Sequence, residues 1–335
     1  MNNIISYPLQ FQALTNLTHY PNIAKYWDNS VEILAKINRD LNQKFNSTQF
    51  SIAVAGSYGR LEASEVSDFD YIILYEEKPE NLDEIKMILN QALENLEIPT
   101  PNPSGVFSAN ISIPDMIKNI GGGTDTLPSL AQRMLLLMEC RAVYNSVLFE
   151  NTINQFLENY LTLIQVDSYK EAIFMLNDTI RYFRSICVHY QYSFSKEQDK
   201  WVLRNAKLRH SRIVMYAGLL FTILNASKHQ TIADNKLDYI KSIIFKSPLE
   251  RIVSVYQDNN DLGYRKVLSV YDLFLKKINN TSIRKELQAD YDDRHNNSHY
   301  LELKVTSESL QTELSRFIFS QKHKWTDLIY EYLIF

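Results

Sequence analysis

The sequence predicts an α+β fold, in which a small mixed β-sheet domain is followed by a large all-helical domain. Glycine and proline, which interrupt regular structure, are concentrated in the first part: eight of nine prolines lie at or before Pro128 and six of eight glycines at or before Gly123. Short runs of strand-forming residues also lie there. Beyond Pro128, leucine, isoleucine and aromatic residues recur at three- and four-residue spacing, which predicts helices throughout.

The elements of the first part follow in order along the chain. Apolar periodicity predicts a helix from about Ile23 to Phe45, and the run Phe50–Ala55 (FSIAVA) predicts a strand that stops at a Gly-Ser pair. A second strand is predicted over Phe69–Tyr75 (FDYIILY) and a helix over Leu82–Leu96. A weaker strand candidate, Gly105–Ala109, follows a proline-rich stretch.

These elements predict an N-terminal helical segment at residues 1–46, a small α/β domain at residues 47–145 and a helical domain at residues 146–335. The 45% apolar content is ordinary for globular proteins. The first residues lack a basic stretch joined to a long apolar run, and no segment has eighteen consecutive apolar residues. We therefore expect a cytoplasmic protein without a membrane span.

The net charge of −4 gives no general attraction to nucleic acid, because polyanion binding rests on an excess of lysine and arginine over a face. DNA is therefore not an expected partner, and an RNA partner would need a local basic patch. The two cysteines, Cys140 and Cys187, are far apart and show no spacing typical of zinc or iron–sulfur sites. We interpret both as buried thiols.

The stretch that carries chemistry runs from Ala55 to Asp70 (AGSYGRLEASEVSDFD). Residues i and i+2 of a strand project to the same face, so Asp68 and Asp70 are predicted to point together, with Phe69 turned into the core. Two adjacent carboxylates repel each other unless a cation lies between them. Their hard oxygen atoms suit Mg²⁺.

The Gly-Ser pair that ends the first predicted strand adds a candidate phosphate site. Gly56 lets the backbone approach a phosphate closely, and the Ser57 hydroxyl with neighbouring N–H groups at a helix start can hold phosphate oxygens. The alternative is that Ser-Asp-x-Asp only caps a strand, as these residues often do in turns. The coincidence of the Gly-Ser pair, a spacer of ten residues and two flanking apolar runs favours the functional interpretation.

The pattern Gly-Ser-(x)10-Asp-x-Asp resembles the signature of the DNA polymerase β-like nucleotidyltransferase superfamily. Within it, Gly59-Arg60, Glu62 and Ser67 resemble the branch of bacterial uridylyltransferases that modify the signalling protein PII. The close match covers residues 51–75.

A looser resemblance covers Arg133–Asn145 (RMLLLMECRAVYN), preceded by Asp125-Thr126. This stretch resembles the helix that follows the catalytic sheet in that branch and in its single-function relatives. The hydrolase and ligand-sensing domains of the PII-modifying enzymes have no counterpart in this sequence. PII is therefore not an expected substrate.

The resemblance implies a role for each matching residue. Asp68 and Asp70 would be the catalytic residues and would bind Mg²⁺, with Mn²⁺ as an alternative ion. Gly56, Ser57 and Arg60 would bind the nucleoside triphosphate, ATP being one candidate. An acceptor hydroxyl or phenol would then attack the α-phosphorus as pyrophosphate leaves.

One expected group is missing from the matching pattern. Many members of the superfamily carry a third carboxylate on a later strand, which activates the acceptor, but residues 104–110 (SGVFSAN) contain no acid. Asp115 and Glu139 are weaker candidates for this role.

Two predicted helices of the second half carry a basic cluster. A triphosphate bound with Mg²⁺ keeps negative charge, so cations are needed for its β- and γ-phosphates. The spacing of i, i+4 and i+7 places several cations on shared helix faces. Alternatives are an RNA-backbone site, a solvated basic face, or salt bridges to Asp178 and Glu197. The residues predicted to hold phosphate are Arg181, Arg184, Arg204 and Lys207.

The sequence thus predicts a nucleotidyltransferase that moves a nucleoside monophosphate from an NTP to a protein, an RNA end or a small molecule. Two alternatives stay open. One is a catalytically impaired nucleotide sensor on the same fold, suggested by the missing third acid. The other is a helical RNA-binding protein, suggested by the basic helices alone.

Overall fold

The computed structural model describes residues 17–100, 109–118, 120–162, 172–194, 198–228, 233–288, 291–325 and 327–334. The chain divides into two compact units. Described residues between 26 and 170 form the first, and those up to residue 25 and from residue 171 onward form the second. The first unit holds the β-sheet, and the second is helical throughout its described secondary structure.

The first unit is built on a four-stranded sheet with the order β3-β2-β1-β4. Strand β1 runs antiparallel to β2 and to β4, whereas β2 and β3 are parallel. The predicted α+β fold with a small mixed sheet is confirmed. The strands are β1 (Phe50–Val54), β2 (Tyr71–Tyr75), β3 (Ala109–Ser112) and β4 (Arg141–Tyr144). The helices are α1 (Pro21–Lys44, from Tyr26 onward), α2 (Gly56–Gly59), α3 (Leu82–Asn95), α4 (Ile113–Lys118), α5 (Leu127–Met138) and α6 (Ser146–Thr162).

The two central strands explain why the sequence signal was clear there. Every residue of β1 and β2 is buried, as expected for strands covered on both faces, and such strands have nearly continuous apolar sequences. Their antiparallel register pairs Phe50 with Tyr75 and Val54 with Tyr71. Strand β2 begins at Tyr71, two residues later than Phe69, where it was predicted to start.

The interpretation of Arg133–Asn145 as a single helix is wrong in its second half. Helix α5 ends at Met138, Glu139 has a φ of −142°, and the chain then forms β4. Strand β4 pairs with β1, which gives hydrogen-bonding partners to the second edge of β1. A short, largely apolar run fits a buried helix or a buried strand, so periodicity alone does not locate this boundary.

The first compact unit also extends beyond residue 145, where the small domain was predicted to end. It includes α6, which contacts β1, β4 and α4. Phe149 and Phe156 of α6 are 3% and 0% exposed. The apolar face of α6 therefore belongs to the core of the sheet unit.

The second unit consists of packed helices. One of them, α11, starts with a capping box: Ser247 Oγ accepts from the Glu250 N–H and the Glu250 carboxylate accepts from the Ser247 N–H. None of the described helices combines the length and apolar character needed to cross a membrane. The α-helices are α7 (Ile173–Phe194), α8 (Trp201–Lys207), α9 (Ile213–Ala226), α10 (Ala233–Ile244), α11 (Pro248–Asp258), α12 (Tyr264–Ile278), α13 (Thr281–Glu286), α14 (Ser298–Ser320) and α15 (Asp327–Ile334), with short 3-10 helices at Gln198–Lys200 and Arg294–Asn296 and a π-helix at Leu208–Arg212.

Candidate active site

The turn after β1 has a shape that only glycine fits. Gly56 has a φ of +64°, in the left-handed region. A Cβ at this position would lie 2.6 Å from Asp70 Oδ2, which is closer than real carbon contacts. The Asp70 carboxylate therefore lies directly against the Gly56 backbone. The structure brings together these two residues, which the sequence predicted for the metal and the phosphate.

The helical turn α2 follows at once and opens toward the same place. Its first helical hydrogen bond runs from the Gly59 N–H to the Ala55 carbonyl at 3.1 Å. The N–H groups of Ser57 and Tyr58 precede that bond and so lie at the open start of the turn. Ser57 is half-buried. Its hydroxyl and the backbone N–H groups are donors of the type that phosphate oxygens accept.

The Asp-x-Asp pair lies just before β2. The Ala55 N–H donates to the Asp70 carbonyl at 2.8 Å, which extends the β1–β2 ladder by one bond. Phe69 is 0% exposed, whereas Asp70 is half-buried and Asp68 is exposed. The prediction that Phe69 turns into the core is confirmed, whereas the common direction of the Asp68 and Asp70 side chains stays a prediction.

The buried Tyr58 side chain lies close to Asp68. Its ring lies 5.2 Å from the Phe69 ring, and its side chain is buried. Burial, and in second place the negative charge of Asp68, raises the pKa of Tyr58 to about 12. The phenol is therefore neutral at physiological pH, and Asp68 has no second anion at this contact.

Glu139, at the end of α5, lies beneath the turn. Its Oε1 accepts a hydrogen bond from the Gly56 N–H at 3.2 Å, and its Oε2 accepts one from Arg60 Nη1. Arg60 Nε also donates to Glu62 Oε1 at 2.6 Å. The Arg60, Glu62 and Glu139 side chains are 8%, 8% and 0% exposed. Arg60, predicted to bind nucleotide, thus lies between two buried carboxylates, and its contact with a nucleotide stays a prediction.

The rest of the connection between β1 and β2 is also held by hydrogen bonds to neighbouring elements. Leu61 has a φ of +60°, an uncommon conformation for a branched side chain, and it is 2% exposed. The Ala63 N–H donates to Ser30 Oγ at 2.9 Å, and Arg141 Nε donates to the Gly59 carbonyl at 3.1 Å. Backbone strain of this kind persists only where the surroundings over-determine it, and it concentrates at functional sites.

The two candidates for a third carboxylate occupy different environments. Asp115 is exposed in the first turn of α4, whereas Glu139 is buried against Gly56 and Arg60. The predicted strand Gly105–Ala109 lies outside the described residues except for Ala109, with which β3 begins. A general-base role for Asp115 or Glu139 stays a prediction.

Sequence reasoning missed the contact between Glu139 and the turn. The two partners are 83 residues apart, and α5 reaches the turn only because β4 pairs with β1. Because β4 was assigned as helix, its pairing with β1 was not expected. That pairing is the signal that could have placed Glu139 beside Gly56.

The basic cluster lies on α7 and α8 of the second unit. The Arg181 side chain is 59% exposed and pairs with Asp178 at 2.9 Å, so one of the alternatives left open by the sequence, a salt bridge to Asp178, is present. Arg184 is exposed, while Arg204 and Lys207 are half-buried. The charges of Arg181 and Arg184 are accessible to a ligand.

The regular α-helix that carries Arg204 and Lys207 ends at Lys207. The chain passes from α8 into the π-helix Leu208–Arg212, where Ser211 and His210 are buried. His210 stacks on Phe274 with ring centroids 4.4 Å apart, and its Nε2 lies 3.0 Å from Thr306 Oγ1. Burial lowers the pKa of His210 to about 4.

The donor set at the turn fits one kind of metal site. Among the described residues, no three or more His, Cys, Asp or Glu side chains gather as metal ligands. Mg²⁺ is commonly bound through one or two carboxylates together with substrate phosphates, and Asp68 and Asp70 beside the glycine turn fit that pattern. Cys140 is buried, Cys187 is half-buried rather than buried as predicted, and neither forms a disulfide.

Comparison of the sequence with protein-family models gives no match, and a search of curated proteins also gives none. The resemblance to nucleotidyltransferases therefore stays a prediction from the sequence motif within residues 51–75.

Proposed function

We propose that this protein is a Mg²⁺-dependent nucleotidyltransferase. The observation that carries the proposal is the position of the Asp70 carboxylate against Gly56, where a Cβ would lie 2.6 Å from Oδ2. A carboxylate beside a left-handed glycine turn suits a cation and a phosphate group held next to each other. A strand cap would need neither the glycine conformation nor the exposed Asp68 beside it.

The proposed roles follow from what each group offers. Gly56 and Ser57 bind phosphate oxygens of the NTP, and Asp68 and Asp70 would hold Mg²⁺, or Mn²⁺ as an alternative. When bound, the ion neutralises charge on the phosphates. Phe69 and Tyr58 exclude water from one side of the aspartates, since both side chains are buried there.

The proposed reaction transfers a nucleoside monophosphate. An oxygen of the acceptor forms a bond to the α-phosphorus while the bond from the α-phosphorus to the oxygen bridging to the β-phosphorus breaks. The electron pair of that bond leaves with pyrophosphate, and the acceptor proton passes to solvent. The acceptor is a hydroxyl on a protein, an RNA end or a small molecule.

The cations of α7 and α8 are the second part of the proposal. We assign Arg181, Arg184, Arg204 and Lys207 of the helical unit to binding phosphate groups, because such cations pair well with phosphate oxygens. The support is their spacing and the exposure of Arg181 and Arg184.

The deciding experiment incubates the purified protein with each of four labelled NTPs, Mg²⁺ and host lysate, and measures label in protein, RNA and small molecules. The Asp68→Asn/Asp70→Asn variant keeps the shape of both side chains without their charge, so transfer should be lost while the fold is kept. The matched control is Glu76→Gln/Glu77→Gln, which removes two exposed carboxylates just beyond the other end of β2.

Each outcome points to one reading. Transfer that survives in the double aspartate variant would contradict the metal assignment. NTP binding by the unaltered protein without transfer to any acceptor would favour the nucleotide sensor. RNA binding without NTP binding would favour the RNA-binding protein.

A further inference from the structure

We propose that Glu139 and Arg60 are positioning residues of the phosphate-binding turn. Glu139 holds the Gly56 N–H and so fixes the turn, and Arg60 compensates the charge of Glu139. The proposal rests on the proposed function for the identity of the ligand, an NTP. In this proposal Glu139 maintains the shape of the site, and Arg60 pairs with Glu139 instead of contacting the nucleotide.

Glu139 contacts the turn at both ends of α2. Its carboxylate accepts from the Gly56 N–H at 3.2 Å, and its backbone carbonyl lies so close to Gly59 that a Cβ there would be 2.3 Å from the oxygen. A hydrogen bond to an ionised carboxylate is about twice as strong as one between neutral groups. The residue thus fixes the first and last positions of α2.

The turn needs such support because its backbone is strained. Gly56 has a φ of +64° and Leu61 a φ of +60°, and the segment between them contains the candidate phosphate donors. A left-handed conformation at a residue other than glycine costs of order 1–3 kcal/mol, so surrounding contacts must hold it. Glu139 and Arg60 supply contacts on the side of the turn that faces the protein interior.

Charge explains why Arg60 accompanies Glu139. A buried carboxylate beneath a phosphate site repels the ligand unless a cation lies beside it. Arg60 donates to Glu139 and to Glu62, and its side chain is 8% exposed. A guanidinium enclosed in this way compensates the carboxylates below the turn, whereas a direct phosphate ligand has to present donors outward.

The result is a turn that has its phosphate-binding shape before nucleotide arrives. Groups held in place by their neighbours lose little entropy when the ligand binds. Substitution of residues that orient ligands in this way commonly lowers affinity or activity by about 10- to 100-fold.

The first test needs no nucleotide. Hydrogen exchange is measured on the full chain for peptides that cover residues 56–59, in the unaltered protein, Glu139→Ala and Glu139→Gln. We expect faster exchange in Glu139→Ala, with the increase largest in this peptide, because loss of the buried partner of Arg60 also lowers overall stability. Glu139→Gln keeps an acceptor oxygen and should show a smaller increase confined to the same peptide, and it decides the question if Glu139→Ala does not fold.

The matched control for this test is Asp125→Asn, which breaks a different buried ion pair of the same unit. It should lower overall stability without a selective change at residues 56–59. Equal exchange at the turn in all Glu139 variants would overturn the positioning role, whether or not the protein uses NTP.

The second test separates the two roles of Arg60. Titration with ATP and Mg²⁺ should show affinity lowered by about 10- to 100-fold in Arg60→Met. Adding Glu139→Gln removes the uncompensated charge, so the double variant should bind ATP more tightly than Arg60→Met alone. If the two losses simply add, and AMP binding is unaffected by Arg60→Met, Arg60 contacts the β- or γ-phosphate itself and this assignment is wrong.

The two tests fail in different ways. Absence of ATP binding by the unaltered protein would contradict the proposed function, while the exchange measurement would still show whether Glu139 holds the turn. ATP binding with unchanged exchange would leave the proposed function in place and contradict only the positioning role.

Discussion

Two arginines of the sheet unit and one of the helical unit differ in what surrounds their side chains. Arg60 and Arg133 of the sheet unit are 8% and 0% exposed, and each is paired with a carboxylate that is itself buried. Arg181 of the helical unit is 59% exposed. In the sequence, Arg60 and Arg181 were predicted for the same task, contact with nucleotide. The difference teaches that burial surrounds the first with the protein's own carboxylates, whereas exposure leaves the second accessible to a ligand.

The most severe test of this contrast is the substitution Asp125→Asn. Arg133 donates to both oxygens of Asp125, at 3.2 and 2.9 Å, and also to the Tyr160 hydroxyl at 2.6 Å. Removing the carboxylate charge leaves a buried guanidinium without its compensating anion, so we expect urea unfolding to show a loss of about 3–5 kcal/mol. A loss under about 1 kcal/mol, the size typical of exposed pairs, would erase the distinction between the two kinds of arginine.

The helical unit also contains a buried base, His210, for which the described residues provide no carboxylate partner. Its folded-state pKa, about 4, lies below the ordinary 6.5, so the unfolded chain binds more protons between these values. The contribution of His210 to stability is full above pH 6.5 and is lost as the pH falls toward 4, by up to about 3 kcal/mol. In the unaltered protein, the free energy of unfolding should include this decrease between pH 7 and pH 4. In His210→Gln this part of the decrease should be absent. An identical slope in both proteins would refute the assignment.

A third prediction tests the left-handed backbone turn at Gly56 of the sheet unit. In Gly56→Val, the left-handed φ and the 2.6 Å approach to Asp70 Oδ2 should cost about 1–3 kcal/mol of stability, and NTP binding should be abolished. Gly123→Val is the control, since a Cβ at Gly123 meets nothing within 4 Å. Thermal melts and ATP titrations of the two variants make the comparison. Normal ATP binding by Gly56→Val would reduce the turn to a structural corner.

The smallest effect on stability is expected at the exposed cations. Arg181→Ala removes the pairing of an exposed guanidinium with the largely buried Asp178, and because Arg181 is 59% exposed it should change the free energy of unfolding by only about 0–1 kcal/mol. It should nevertheless raise the apparent KM for NTP, as should alanine at Arg184, Arg204 or Lys207, and AMP binding should be insensitive. If RNA affinity falls while the KM for NTP is unchanged, these cations follow an RNA backbone, and the salt dependence of RNA binding should weaken.

The sequence was informative where one strand or one turn determines the structure. The run FSIAVA and the glycine at position 56 give β1 and its sharp end, because strand propensity and a left-handed φ are properties of a few adjacent residues. Strand alternation predicted that Phe69 is buried, and it is buried, although Asp68–Asp70 lie just before β2 and not within it.

Other features depend on partners distant in the sequence. Strand β4 directly follows a helix of similar apolar composition, and only pairing with β1 determines its state. The contact of Glu139 with Gly56 and the enclosure of Arg60 both follow from that pairing. Sequence spacing could nominate Arg60 as a ligand, but it contains no measure of burial.

The π-helix Leu208–Arg212 determines where the chain can lose a residue between α8 and α9. A π turn accommodates an additional residue relative to an α turn. Deleting one residue there would restore α geometry and leave the faces of α8 and α9 nearly unrotated, because the wider turn absorbs the extra residue. Every residue of α9 from Ala217 to Ala226 is buried. A deletion within α9 would instead rotate the residues after it by about 100° and remove buried side chains from their contacts. Single deletions should therefore be better tolerated within residues 208–212 than within residues 217–226.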